Sequence, residues 1–129
     1  MQPTYLFVYG TLMRGHANPF AQRLRQYATF VGLGTFPGVL YRIEWYPGAV
    51  YQPGAPGRVQ GEIFELHEPA RLLPELDAYE DVQEDPARSL YLRREVPVQV
   101  PDGRVLRCWT YLYNQPTDAL LRIESGLFT

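Results

Sequence analysis

The sequence predicts an α+β fold: a single domain spanning residues 1–129, with a mixed sheet of six or seven strands curled into a barrel and two or three short flanking helices. Three observations carry this reading. Short strand-like runs outnumber helical stretches. The 12 prolines and 11 glycines cut the chain into short elements, and no Gly/Ser linker or internal repeat divides it. With so few helices to cover a sheet, its apolar face is best buried by curling the sheet on itself.

The first element is the uncharged run Tyr5 to Val8, read as a buried strand. It ends in Tyr9-Gly10-Thr11-Leu12, a glycine turn that brings backbone donors to the strand's carboxyl end, where α/β proteins often place ligands. The turn also has a plain structural reading, a tight bend with positive φ at Gly10. Asn18-Pro19 then reads as an N-cap followed by proline at the first helical position, with Phe20, Leu24 and Tyr27 at helical spacing. Strands are expected at Thr29 to Leu33, Val39 to Trp45, Gly48 to Gln52 and Arg58 to Leu66.

Glu68-Pro69 opens a second helix with an apolar stripe of Leu72, Leu73 and Leu76, which Pro74 is expected to kink or restart. Tyr91 to Val100 and Arg104 to Asn114 form a hairpin through Pro101-Asp102-Gly103. The tail from Thr117 to Thr129 is expected to make one or two helical turns before Gly126, docking Leu120, Leu121 and Ile123.

Composition narrows the function. The net charge is -2, from 12 basic and 14 acidic residues spread along the chain, which leaves no electrostatic footprint for nucleic acid. No segment approaches the length of a membrane span, so no membrane partner is expected. His16 and His67 lack zinc-site spacing, and no metal or other cofactor is expected. The lone Cys108 lies in an apolar run and reads as packed and unreactive. That single thiol, with no export segment after Met-Gln-Pro, leads to an expected cytoplasmic location. Oligomeric state is not legible.

One carboxylate stands out from Asp77, Glu80, Asp81, Glu84 and Asp85. At about 100° per residue, Glu80 falls roughly 40° from Leu76 and about 20° from Leu73, on the buried stripe. Asp81 lies about 140° from Leu76, so Asp77 and Asp81 are expected to point to the side or to water. A carboxylate facing an apolar interior loses hydration, its pKa rises, and it becomes a better base near neutral pH. A purely structural alternative has Glu80 satisfied by backbone amides or by Arg93 or Arg94.

Five motifs in order, Val8-Tyr9-Gly10-Thr11-Leu12-Met13-Arg14-Gly15, Pro47-Gly48-Ala49-Val50, Gly61-Glu62-Ile63-Phe64, Leu76-Asp77-Ala78-Tyr79-Glu80 and Tyr91-Leu92-Arg93, resemble the γ-glutamylcyclotransferase-like family. The likeness is nearest its small branch, which includes γ-glutamylamine cyclotransferase and bacterial proteins of similar length. It implies a barrel with a ligand cavity near the Tyr-Gly-Thr-Leu turn, and a cofactor-free reaction in which a small γ-glutamyl substrate cyclises to 5-oxoproline and releases an amine. It also implies Glu80 as general acid/base and Tyr9, Gly10, Thr11 and Leu12 as the substrate-binding loop. Tyr91 matches a family tyrosine near the acid and is a candidate substrate contact, with plain packing in a strand as the structural alternative. Arg93 reads as an ion-pair partner, and Trp109, Tyr111 and Tyr113, alternating along one strand, as core packing.

Two departures from the family pattern bear on substrate preference. Asp81 stands where family members frequently have glycine or another small residue, and the stretch Val82 to Ser89 is longer than in the amine-specific branch. The alternative to an enzyme is a non-catalytic small-molecule binding protein that keeps the fold and pocket.

Overall fold

The computed structural model describes residues 3–128, so Met1, Gln2 and the last residue of the tail, Thr129, lie outside it. In chain order the elements are β1 (Thr4–Val8), α1 (Pro19–Tyr27), β2 (Ala28–Arg42), β3 (Pro47–Tyr51), β4 (Arg58–Leu66), α2 (Pro69–Tyr79), a single 3₁₀ turn (Pro86–Arg88), β5 (Tyr91–Gln99), β6 (Val105–Tyr113) and β7 (Leu121–Arg122).

Five strands form a closed barrel in the order β2-β4-β1-β6-β5, completed by a pairing of Thr35 with Gln99 that joins β5 back to β2. β3 and β7 pair with the far half of β2 and stand outside the ring. β1 is central, antiparallel to β4 and parallel to β6. Its residues Leu6, Phe7 and Val8 are buried, together with Phe36, Val59, Ile63, Phe64 and Val98 from neighbouring strands. Strand alternation sends neighbours such as Leu6 and Phe7, or Ile63 and Phe64, to opposite faces of the sheet, both of them covered, and burial contributes roughly 1.5–3 kcal/mol for each large apolar group.

The two strands expected at Thr29 to Leu33 and Val39 to Trp45 are one strand of 15 residues. Its glycines and proline mark the change of partner. Pairing with β4 runs as far as Pro37 opposite Arg58, and pairing with β3 starts at Gly38 opposite Tyr51. Proline has no N–H to lose there, and a side chain on Gly38 would collide with the Val50 carbonyl. The register also shifts between Phe30 and Gly32, so the strand bends around the barrel without breaking.

The tail is also extended where helical turns were expected. Leu121 and Arg122 pair with Arg42 and Tyr41, and the Ile123 N–H donates to the Leu40 carbonyl at 2.7 Å. The edge of β2 offers unpaired backbone groups that a two-residue strand can satisfy. Ile123 packs on the core, whereas Leu121 is 75% exposed.

Both helices lie where the sequence puts them. The Asn18 side chain accepts from the Ala21 N–H at 2.8 Å and caps α1, a contact worth about 1 kcal/mol. α2 runs unbroken through Pro74, whose side is exposed while Leu72, Leu73 and Leu76 are buried. Packing of that stripe outweighs the one backbone hydrogen bond the proline removes. The helices are tied by an Arg23–Glu75 ion pair at 2.8 Å and by Phe20 stacked on Tyr79 at 4.5 Å.

Candidate active site

The end of α2 is built to present Glu80. Glu80 is the helix C-cap, Asp81 follows with a left-handed φ of 57°, and the Val82 N–H reaches back to the Asp77 carbonyl at 2.9 Å. With the Asp81 N–H on the Ala78 carbonyl at 3.3 Å, this is a Schellman motif. Glycine fits its left-handed position best. Aspartate is among the few other residues that adopt it readily.

Glu80 turns into a cavity of about 240 Å³ that Tyr9, Gly10, Thr11, Leu12 and Tyr91 also line. All six sequence-selected site residues therefore border one hollow. Burial pushes the Glu80 carboxyl up to about 8, and among the described residues no cation or hydrogen bond offsets it. The arginines considered as partners are engaged elsewhere: Arg93 pairs with Asp77 at 2.7 Å, and Arg94 donates to the Arg93 carbonyl at 3.0 Å.

Asp77, expected to point to the side or to water, points to the side and is paired there. It accepts from both Arg93 and the Tyr111 hydroxyl, the latter at 2.7 Å, because strands β5 and β6 bring those two groups against the side of α2. Helical angle alone gives the direction of Asp77 and is blind to partners on other elements. The Arg93 guanidinium also lies over the Trp109 ring, 4.6 Å from its centroid. Of the three alternating aromatics of β6, Tyr111 lines the cavity and Tyr113 packs edge-on against Tyr91.

The turn after β1 is shaped by neighbours. Gly10 does not have the positive φ that a tight bend would demand; a Cβ on it would instead lie 2.9 Å from the Pro47 ring. The Asn18 amide holds the Thr11 carbonyl at 2.7 Å, and the Met13 N–H donates to the Gly10 carbonyl at 3.1 Å. Among the described residues, the N–H groups of Gly10, Thr11 and Leu12 donate to no protein acceptor. Such consecutive free amides at a strand end favour an anionic group.

The cavity's phenols are mostly spent on structure. Tyr9, a buried residue, donates to the Tyr111 carbonyl and accepts from the Ala49 N–H, and Tyr91 donates to the Pro47 carbonyl. Tyr79 shares a hydrogen bond of 2.7 Å with the Thr11 hydroxyl. Burial first raises Tyr9, Tyr79, Tyr91 and Tyr111 above the ordinary phenol range, followed by the Glu80 charge for Tyr9, by the neighbouring Tyr9 for Tyr91 and by the hydrogen bond to Asp77 for Tyr111. These phenols stay protonated, and their ordered network fixes the wall around the acid.

Sequence reasoning did not select Trp45 and Tyr46, which line the same cavity from the β2–β3 loop. Nothing in their spacing marks them; the adjoining Pro47-Gly48 step was the available signal. Gly48 is needed because a Cβ would lie 2.8 Å from the Tyr113 ring. Cys108 is buried in the core and its thiol is pushed up to about 12 by that burial, in keeping with a packed, unreactive residue. No helix among the described residues is long and apolar enough to cross a membrane.

Comparison with known proteins agrees with this fold. Residues 6–129 match the family described as gamma-glutamyl cyclotransferase, AIG2-like. The chain is 34% identical over 121 residues to the gamma-glutamylcyclotransferase family protein YtfP of Escherichia coli K12, covering 94% of this chain and 92% of that one. It is 33% identical over 120 residues to the gamma-glutamylaminecyclotransferase of Mus musculus, covering 83% and 76%. The crystal structure of an AIG2-like protein from Mus musculus superposes with a TM-score of 0.71 at 31% identity, covering 97% of this chain and 88% of that one. Sequence, barrel and cavity thus lead to one assignment: the chain belongs to the AIG2-like gamma-glutamyl cyclotransferase family.

Proposed function

We propose that this protein is a γ-glutamyl cyclotransferase, converting a γ-glutamyl amine or amino acid to 5-oxoproline and the free amine, with Glu80 as general acid/base. The observation that carries the reading is a carboxyl raised to about 8 with no protein partner, in the same cavity as three free backbone amides. Neither Arg, Lys nor His lines that cavity. A ligand bearing an ammonium beside an anionic group complements such a lining, and the α-amino and α-carboxylate ends of a γ-glutamyl compound supply both.

The substrate carries its own nucleophile. Its ammonium, bound beside Glu80, lowers the acid's pKa again and gives it one proton. The freed amine attacks the γ-carbonyl, closing a five-membered ring and leaving an oxyanion. Glu80 then protonates the departing nitrogen as the old C–N bond breaks. The ring nitrogen sheds its second proton, which ends on the released amine, so Glu80 returns to its starting state. Holding the chain folded for intramolecular attack supplies roughly 7–11 kcal/mol of barrier reduction. The amides of Gly10, Thr11 and Leu12 receive the α-carboxylate or the oxyanion; in the second case each donor contributes about 3–4 kcal/mol.

The test is a panel of γ-glutamyl amines and γ-glutamyl amino acids assayed for 5-oxoproline. The reading expects stoichiometric 5-oxoproline and free amine from at least one compound. A folded protein that binds panel members and never forms the lactam is the non-catalytic binding protein instead.

A further inference from the structure

The β2–β3 loop brings two aromatic side chains to the cavity that the cyclisation outlined above does not use. Trp45 lines the cavity yet is 68% exposed, so its indole stands at the mouth. It packs edge-on against Tyr46 with ring centroids 5.0 Å apart. Backbone bonds brace the loop: the N–H groups of Ile43 and Glu44 both donate to the Tyr46 carbonyl, at 3.0 and 3.4 Å.

Five tyrosines line the cavity, and four of them have hydroxyls engaged by protein groups. Tyr46 is the fifth, and among the described residues its hydroxyl has no partner. Its pKa is raised by partial burial and by the charges of Glu44, Tyr113 and Asp81. Glu44 directly precedes Trp45 in the loop and Asp81 directly follows Glu80, so two acidic residues adjoin the lining, and no basic residue lines the cavity to balance them.

The geometry points to Trp45 and Tyr46 as a leaving-group subsite that selects amines carrying a flat apolar or aromatic portion and lacking a carboxylate: arylalkylamines. This rests on the γ-glutamyl reading of the cavity. An indole with an open face stacks on a ring, the free phenol is a hydrogen-bond donor for the substrate amide, and the acidic side chains repel a leaving group that carries its own carboxylate. Trp45 and Tyr46 are thus specificity-determining residues, distinct in role from Glu80.

Binding separates this inference from the chemistry. In a Glu80→Gln background, where substrate is not consumed, calorimetry compares γ-glutamyl methylamide, γ-glutamyl phenethylamide and γ-glutamyl-phenylalanine. Phenethylamide is expected to bind more tightly than the other two. Trp45→Ala is expected to lower the phenethylamide-to-methylamide affinity ratio roughly ten-fold, and Trp45→Phe to restore most of it. An unchanged ratio in Trp45→Ala or equal binding of γ-glutamyl-phenylalanine overturns the inference; should Glu80→Gln bind none of the three for want of the ammonium's partner, the same ratios are read as kcat/KM on the Glu80-containing protein, with the same outcomes. Selective binding with no 5-oxoproline from the Glu80-containing protein supports the subsite and contradicts the cyclisation instead.

Discussion

The proposed cyclisation makes two opposed demands at Glu80: the cavity must be dry enough to raise the acid and open enough to admit a charged substrate. Its carboxyl stands near 8 in the folded protein against an ordinary 4.5. Between those values the folded state holds a proton that the unfolded chain has released, so stability falls as pH rises from about 4.5 to about 8 and then levels. Glu80→Gln removes that loss. Its denaturation midpoint is expected to match that of the unsubstituted protein near pH 4.5 and to exceed it increasingly towards pH 8, by on the order of a few kcal/mol at most. A pH-independent difference in parallel urea titrations would contradict the burial argument. The proposed role of Glu80 as base also predicts that kcat/KM declines below about pH 8 as its carboxyl becomes protonated in the free protein, which a pH profile measures.

The chain termini of α2 and β1 decide what reaches the cavity. Asp77 clamps α2 to β5 and β6 through Arg93 and Tyr111. Asp77→Asn leaves the guanidinium without its charged partner and is expected to cost about 1–3 kcal/mol in thermal or chemical denaturation, with a fall in activity through displacement of Glu80. Asp81→Gly relieves the left-handed residue of the Schellman turn and should instead stabilise the fold by about 1 kcal/mol. Much of this was legible in the sequence. Asn18-Pro19 announced α1, the Leu72, Leu73 and Leu76 stripe gave the inward direction of Glu80, and Pro101-Asp102-Gly103 marked the hairpin, where Gly103 has φ of +95°. The continuity of β2 was not, because glycine and proline look alike whether a strand ends or changes partner. The clamp on Asp77 and the aromatic loop at Trp45 were hidden too, since both depend on elements remote in sequence meeting in space.

Across the whole molecule, the barrel serves to hold the β1 turn and the α2 terminus against one hollow. Its closure between β2 and β5 rests on one paired position, whereas β1 and β4 are paired along their length within the core. Native-state hydrogen exchange is expected to show the slowest amides in β1 and β4 and the fastest strand amides in β7. The tail folds back over β4: the Gln60 N–H donates to the Gly126 carbonyl at 2.8 Å, and Gly126 has φ of +73° with the Arg58 carbonyl where a Cβ would go. Gly126→Ala should therefore destabilise the protein by about 1–3 kcal/mol, read as a lower denaturation midpoint. The central claim concerns the acid that this architecture buries, and the most direct test is the rate of 5-oxoproline formation from a turned-over γ-glutamyl compound by the unsubstituted protein and by Glu80→Gln. The account predicts a loss in kcat/KM on the order of 10²–10⁴-fold with the fold intact. Cyclisation by Glu80→Gln at the unsubstituted rate would contradict it.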